Sequence, residues 1–181
     1  QSGCQETLER MNRRYTADEY REKCQILRKY YENPALTTDV IVGFPQESLE
    51  EFRESYEFVK EIQFYETHIF KYSRRKGTKA DKMEGQIPEQ EKTRRSEQMI
   101  ALGQERAFQY ENSFLGGKLD ILLEEEIQID GKSYLTGHSR EYIKAAVPAE
   151  GGWKINDCVC MIPERFLKDR LLTGTVTKFS L

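Results

Sequence analysis

Two hydroxyl–carboxylate pairs at one spacing bracket a buried-type apolar run, and this pattern restricts the first part of the chain to alternating helices and strands. Thr16-Ala17-Asp18-Glu19 and Ser48-Leu49-Glu50-Glu51 each put a carboxylate three residues after a hydroxyl. That spacing lets the two side chains satisfy each other's exposed amides at a helix start. Behind the first pair, Tyr20, Cys24, Leu27 and Tyr31 recur at helical spacing, and Asn33-Pro34 ends the helix. Behind the second, Leu49, Phe52, Tyr56, Val59 and Ile62 form one stripe. Between them, residues 36–44 contain Val40-Ile41-Val42, which reads as a strand buried on both faces, as in a parallel sheet. A further strand is predicted over 67–72 and a long helix over 90–114, with Met99, Leu102, Ala107 and Tyr110 available for burial. Helix, strand, helix, strand, helix is α/β order, joined by right-handed crossovers.

The pattern changes at Gly116-Gly117. Short β-like segments follow at 119–123, 134–136, 142–147, 158–162 and 171–179, separated by turn residues at Asp130-Gly131, Gly137 and Gly151-Gly152. Five strands of this size predict a small closed, OB-like barrel. The expected division is therefore 1–116 and 117–181. The chain of 181 residues has room for two such domains.

Nineteen Phe and Tyr residues argue against disorder, and no apolar run approaches the roughly 18 residues of a membrane span. No secretory signal is visible, and four scattered cysteines read as a reduced, cytoplasmic chain rather than a disulfide scaffold. The formal net charge is −3, yet residues 71–95 hold nine basic side chains against four acidic ones. That local excess reads either as a phosphate-facing patch or as a solvated loop and helix face. The β part has nine basic and ten acidic residues, so its net charge does not announce nucleic-acid binding.

Few residues suggest chemistry unaided. Gly43-Phe44-Pro45 ends the apolar strand where α/β proteins place ligands; the same residues also suit a tight strand-to-helix turn. Asp39 inside that run is either hydrogen-bonded structurally or turned to a ligand. Cys158-Val159-Cys160 lacks a matching second pair, so the two thiols read as small buried side chains rather than metal ligands. His68 is assigned to a strand and His138 to a turn, with no partner evident for either.

As a set, the motifs resemble the radical S-adenosylmethionine methylthiotransferases that modify tRNA. The resemblance rests on Gln1-Ser2-Gly3, on the run from Leu8 to Thr16 (LERMNRRYT), on Thr38 to Pro45 (TDVIVGFP) and on Phe70 to Thr78 (FKYSRRKGT). Gln86-Ile87-Pro88 with Lys92 and Arg95 continues it. It implies that 1–116 form the C-terminal part of an incomplete, TIM-like radical SAM barrel and that 117–181 form a TRAM barrel that holds tRNA. Gly137 to Tyr142 (GHSREY) and the strand from Thr67 to Phe70 resemble the MtaB type, which methylthiolates N6-threonylcarbamoyladenosine at tRNA position 37. The MiaB type, acting on isopentenyladenosine, is next, and the RimO type fits less well. Gln46 stands where the family commonly has Gly, and Lys71 where Pro is frequent.

The family's CxxxCxxC loop and the three cysteines of its N-terminal domain, which together hold two 4Fe–4S clusters, are not in this sequence. Cys4, Cys24, Cys158 and Cys160 match none of those positions. In the whole enzyme the first cluster would cleave S-adenosylmethionine to a radical that attacks C2 of adenine, and sulfur would arrive through the second. The resemblance therefore implies a fragment that is inactive alone and carries no catalytic residue; a stand-alone RNA-binding module is the other reading. It places Gln1 and Ser2 near the ribose or methionine part of S-adenosylmethionine. Ile41, Val42, Gly43 and Phe44 fall near adenine, with Phe70 and Tyr72 on the last strand; Arg13 or Arg14 would face a carboxylate or phosphate, or solvent. For the anticodon stem-loop of tRNA it points to Arg74, Arg75, Lys76, Arg94 and Arg95. On the β part it points to His138, Arg140 and Tyr142, the last reading equally as a core strand residue. An open barrel edge further implies self-association.

Overall fold

The structure, a computed structural model, describes residues 1–178 and divides into two compact units, Gln1–Ala107 and Phe108–Leu181. The division falls inside a helix, nine residues before the composition change at Gly116-Gly117.

In the first unit, α1 spans Gln5–Arg10, α2 Ala17–Tyr30, β1 Thr37–Val42, α3 Leu49–Ile62 and β2 Glu66–Lys71, and α4 (Glu89–Asn112) begins there. Both capping boxes form, with Thr16 and Glu19 closing α2 and Ser48 and Glu51 closing α3. β1 and β2 pair in parallel, Ile41 opposite Phe70, as the crossover through α3 requires. Val40 and Val42 pack on Phe52, Phe58, Val59 and Ile62 of α3 and on Met99 and Leu102 of α4. The buried face of α3 runs through Phe52, Ser55, Val59 and Ile62, leaving Leu49 exposed.

β1 is not buried on both faces. Its residues alternate, with Val40 and Val42 buried while Asp39 is exposed and Ile41 half-exposed. The reason is the period-2 geometry of a strand: only one side of this two-stranded sheet meets helices among the described residues.

The second unit contains β3 (Leu119–Ile129), β4 (Lys132–Ser139), β5 (Lys144–Pro148), β6 (Cys158–Lys168) and β7 (Leu171–Lys178). They close in the order β3-β4-β5-β7-β6, every pairing antiparallel except β5 with β7. The strands are longer than their apolar centres suggest, because β3 and β6 continue through polar, solvent-facing residues. The assignment of 171–179 includes Phe179, which lies outside the described residues.

Gly137 is a strand residue rather than a turn. A Cβ there would lie 1.7 Å from the Leu122 carbonyl oxygen, beside the bulge between Leu123 and Glu125. Gly174 meets Ile162 at 2.0 Å beside the β6 bulge at Pro163 and Arg165. Both glycines let one strand bend across its neighbour, which a small closed sheet needs.

Cys158 and Cys160 are likewise not buried side chains. Val159 and Met161 take the inner face of β6, so alternation turns both thiols outward, Cys158 exposed and Cys160 half-exposed.

Candidate ligand pocket and nucleic-acid surface

At the C-terminal ends of β1 and β2 the uncovered face of the sheet borders a cavity of ≈ 520 Å³. Its walls include Gln1, Ile41, Phe44, Phe70 and Tyr72, five of the eight residues expected at the adenosyl ligand. Strand alternation puts them there. Ile41 and Phe70 are register partners on the face opposite Val40 and Val42, and the Tyr72 N–H donates to the Val42 carbonyl at 2.9 Å, extending the pairing past β2. The Ile41 N–H donates to the Gln1 carbonyl at 2.9 Å, which holds the first residue beside β1. The Phe44 and Tyr72 rings meet edge to face at 5.1 Å.

The other three do not reach this cavity. Ser2 is buried and its hydroxyl accepts the Cys4 N–H at 3.2 Å. Val42 points into the helical core. Gly43, at φ 71°, makes the turn itself, and its N–H donates to Glu47 at 3.0 Å. Asp39, left open between two roles by the sequence, lines the cavity, with Met11, Arg13 and Arg75. Asp39 could be found by its i, i+2 relation to Ile41. Met11 follows α1 without periodicity and is placed only by the folded loop, while Arg13, expected to face a carboxylate, a phosphate or solvent, lines the cavity and donates to Gln1 at 2.8 Å.

The chemistry of the lining, apolar Ile41, Phe44 and Phe70 with polar Gln1 and Arg13, fits an adenosyl ligand. The Tyr72 hydroxyl is buried with no hydrogen-bond partner among the described residues. An iron–sulfur cluster is not fitted. Each unit holds two free cysteines, Cys4 and Cys24 in one and Cys158 and Cys160 in the other, too few thiolates for a cluster. Among the described residues the one close group of metal-ligating types is Cys4, Glu6 and Glu54.

The basic segment separates into distinct roles. Arg74 is tied to Asp81 at 3.1 Å, whereas Arg75 and Lys76 are exposed with no ion pair among the described residues. Arg94 is exposed and bonded to Glu91 on its own helix at 2.6 Å. Arg95 is not available to RNA: it is buried, donating to Glu47 at 2.6 Å and to Glu91 at 2.7 Å above the Phe52 ring. Burial pushes the Glu47 carboxyl up, against the pull of Arg95, while the Arg94 and Arg95 bonds hold Glu91 down at about 2.

In the second unit the β4–β5 hairpin turns through Arg140, Glu141 and Tyr142. Its closure is fixed by Ser139, whose N–H donates to the Ile143 carbonyl at 3.0 Å and whose Oγ accepts from Glu141 and Ile143. Tyr142 is no core residue. It sits at φ 64°, is 64% exposed, and stacks on His138 with ring centres 4.9 Å apart and planes at 22°. His138 belongs to β4 rather than a turn, and its Nδ1 lies 2.7 Å from Glu124. Arg140 is 85% exposed, 3.9 Å from Asp120, and Leu122, opposite His138, is also exposed. An exposed tyrosine ring stacked on a half-buried histidine, beside a guanidinium, is a surface on which unpaired bases stack.

The Radical SAM superfamily model matches residues 1–59. The threonylcarbamoyladenosine tRNA methylthiotransferase MtaB of Bacillus subtilis (strain 168) is 39% identical over 145 residues, covering 80% of this chain and 32% of that protein. Over most of its length the chain is thus similar to tRNA methylthiotransferases, and its first 59 residues match the Radical SAM superfamily. Two tRNA-2-methylthio-N(6)-dimethylallyladenosine synthases are close as well. That of Protochlamydia amoebophila (strain UWE25) is 40% identical over 124 residues, 68% of this chain and 28% of its own length. That of Finegoldia magna is 36% identical over 142 residues, 78% and 31%. The chain thus spans about a third of the length of the curated relatives it matches. Among the described residues no helix is long and apolar enough to cross a membrane.

Proposed function

We propose that this chain is the C-terminal part of a cytoplasmic tRNA methylthiotransferase that adds a methylthio group to C2 of N6-threonylcarbamoyladenosine at position 37. The observation that carries the reading is the convergence of Gln1, Ile41, Phe44, Phe70 and Tyr72 on one cavity at the strand ends. Ile41 and Phe44 offer an apolar wall for adenine, and Gln1 a polar group for the ribose or methionine part. When bound, S-adenosylmethionine supplies the reactive chemistry of such enzymes. The residues of this chain hold and orient it. The two clusters belong to the rest of the enzyme, since neither unit has thiolates enough for one, and the chain alone is inactive on this reading.

The second unit is the TRAM barrel in this proposal. Tyr142, His138 and Arg140 take an unpaired base of the anticodon stem-loop, and Arg75 and Lys76, with Arg74 and Arg94 beside them, meet phosphates. A dimethylallyladenosine substrate is the second reading, favoured by relatives of that name at similar identity.

Titration of the chain with S-adenosylmethionine, and with anticodon stem-loops carrying each modified adenosine, tests these assignments. The expected result is saturable binding of S-adenosylmethionine and tighter binding of the threonylcarbamoyl stem-loop, weakening steeply with salt. A preference for the dimethylallyl stem-loop transfers the assignment to the second reading. No RNA binding at low salt removes the tRNA role from this chain.

A further inference from the structure

Lys92 is buried, and its one ion pair among the described residues is a long one to an exposed carboxylate. Its side chain is 8% exposed, and a buried ammonium is costly unless its donors are used. The nearest carboxylate, Glu89, is 65% exposed and lies at 3.6 Å, outside good hydrogen-bond range. The ammonium instead donates to the Tyr72 carbonyl at 3.0 Å and lies 5.5 Å from the centre of the Tyr72 ring. Its stem crosses Gly43 so closely that a Cβ there would stand 2.4 Å from the Lys92 Cγ. One side chain of α4 therefore touches the turn after β1 and the residue after β2. These are the two points that set where the Phe44 and Tyr72 rings meet.

An apolar side chain would fill the same space without desolvating a charge. What the ammonium adds is a bond to a strand-end carbonyl and a cation beside the Tyr72 ring. One turn further along α4, Arg95 fixes Glu47, which in turn holds the Gly43 amide, so the Gly43 turn is held from both sides.

We propose that Lys92 is a positioning residue for the adenosyl ligand, locking the ends of β1 and β2 so that Phe44 and Tyr72 form its wall. This rests on the reading that the cavity takes S-adenosylmethionine. The Gly43 turn is thereby constrained to glycine by a side chain from another element as well as by its own φ of 71°.

The test compares the full chain with Lys92→Met, which keeps the stem and removes the donor, and with Lys92→Arg, which keeps a charged donor. Affinity for S-adenosylmethionine, thermal melting, and amide hydrogen exchange at Tyr72 are measured on each. Lys92→Met is expected to weaken binding about tenfold with melting nearly unchanged, while Lys92→Arg recovers most of the affinity. Wild-type affinity in Lys92→Met overturns the proposal. Equal losses in both variants, tracking lower melting temperatures, also overturn it, because they mark a packing role. If the unaltered chain binds no S-adenosylmethionine, the pocket reading fails and hydrogen exchange decides the clamp. Faster exchange at Tyr72 in Lys92→Met then supports the lock, and unchanged exchange overturns it.

Discussion

Tyr142 and Gln46 occupy the left-handed region at φ 64° and 65°, where a glycine carries no strain. For Gln46 the conformation is held by its own N–H, which donates to the Gly85 carbonyl at 2.8 Å. For Tyr142 the bulky ring is held in a costly conformation next to His138, and such strain collects at functional sites. Replacing it separates the two roles. Tyr142→Gly is expected to stabilise the second unit by about 1 kcal/mol in chemical denaturation. The same variant is expected to weaken stem-loop binding roughly tenfold, the loss of one stacked base. Tighter or unchanged RNA binding would remove Tyr142 from the interface.

At the scale of elements, α4 is the brace of the first unit. Its first turns carry Glu89, Glu91, Lys92 and Arg95, a sequence that reads either as a phosphate-facing patch or as a solvated helix face. Two of the four, Lys92 and Arg95, are buried because they reach the Tyr72 carbonyl and Glu47 instead of water. Glu91 binds Arg94 and Arg95, and its carboxyl is held at about 2 against an ordinary 4.5. A carboxyl depressed on folding contributes stability above its unfolded value and loses it as pH falls toward the folded one. The melting temperature of the first unit is therefore expected to drop between about pH 5 and pH 2. Glu91→Gln should lower melting at neutral pH and flatten that drop. Glu51, held down by Arg10, keeps part of the acid sensitivity in place. Circular dichroism melts across this range read both effects, and parallel profiles for the two proteins would dismiss the role given to Glu91.

For the whole molecule, the exposed apolar surface matters. Ile26, Leu27, Tyr30 and Tyr31 crowd the end of α2, and Phe70 is 53% exposed on the uncovered face of the sheet. Exposed apolar groups of this kind favour contacts between copies. The chain is expected to self-associate at high concentration, with light-scattering mass rising as protein is added. A constant monomer mass up to millimolar concentration would contradict it.

Local rules made much of this molecule legible. The capping boxes at Thr16 and Ser48 set the starts of α2 and α3, because the bonds involved close within four residues. The apolar run at Val40 set β1, and the separated motifs set the family. Tertiary packing decided the rest. Ile41 and Val42 are neighbours of similar chemistry, and only the sheet's contact with α3 and α4 turned Val42 inward and left Ile41 on the cavity. Arg94 and Arg95 read alike as RNA contacts until the fold put Glu47 within reach of one of them. The thiols of Cys158 and Cys160 face outward because Val159 and Met161 fill the interior. In each case the choice lies in burial, which depends on what the rest of the chain brings across the face and cannot be fixed by a residue's own neighbours.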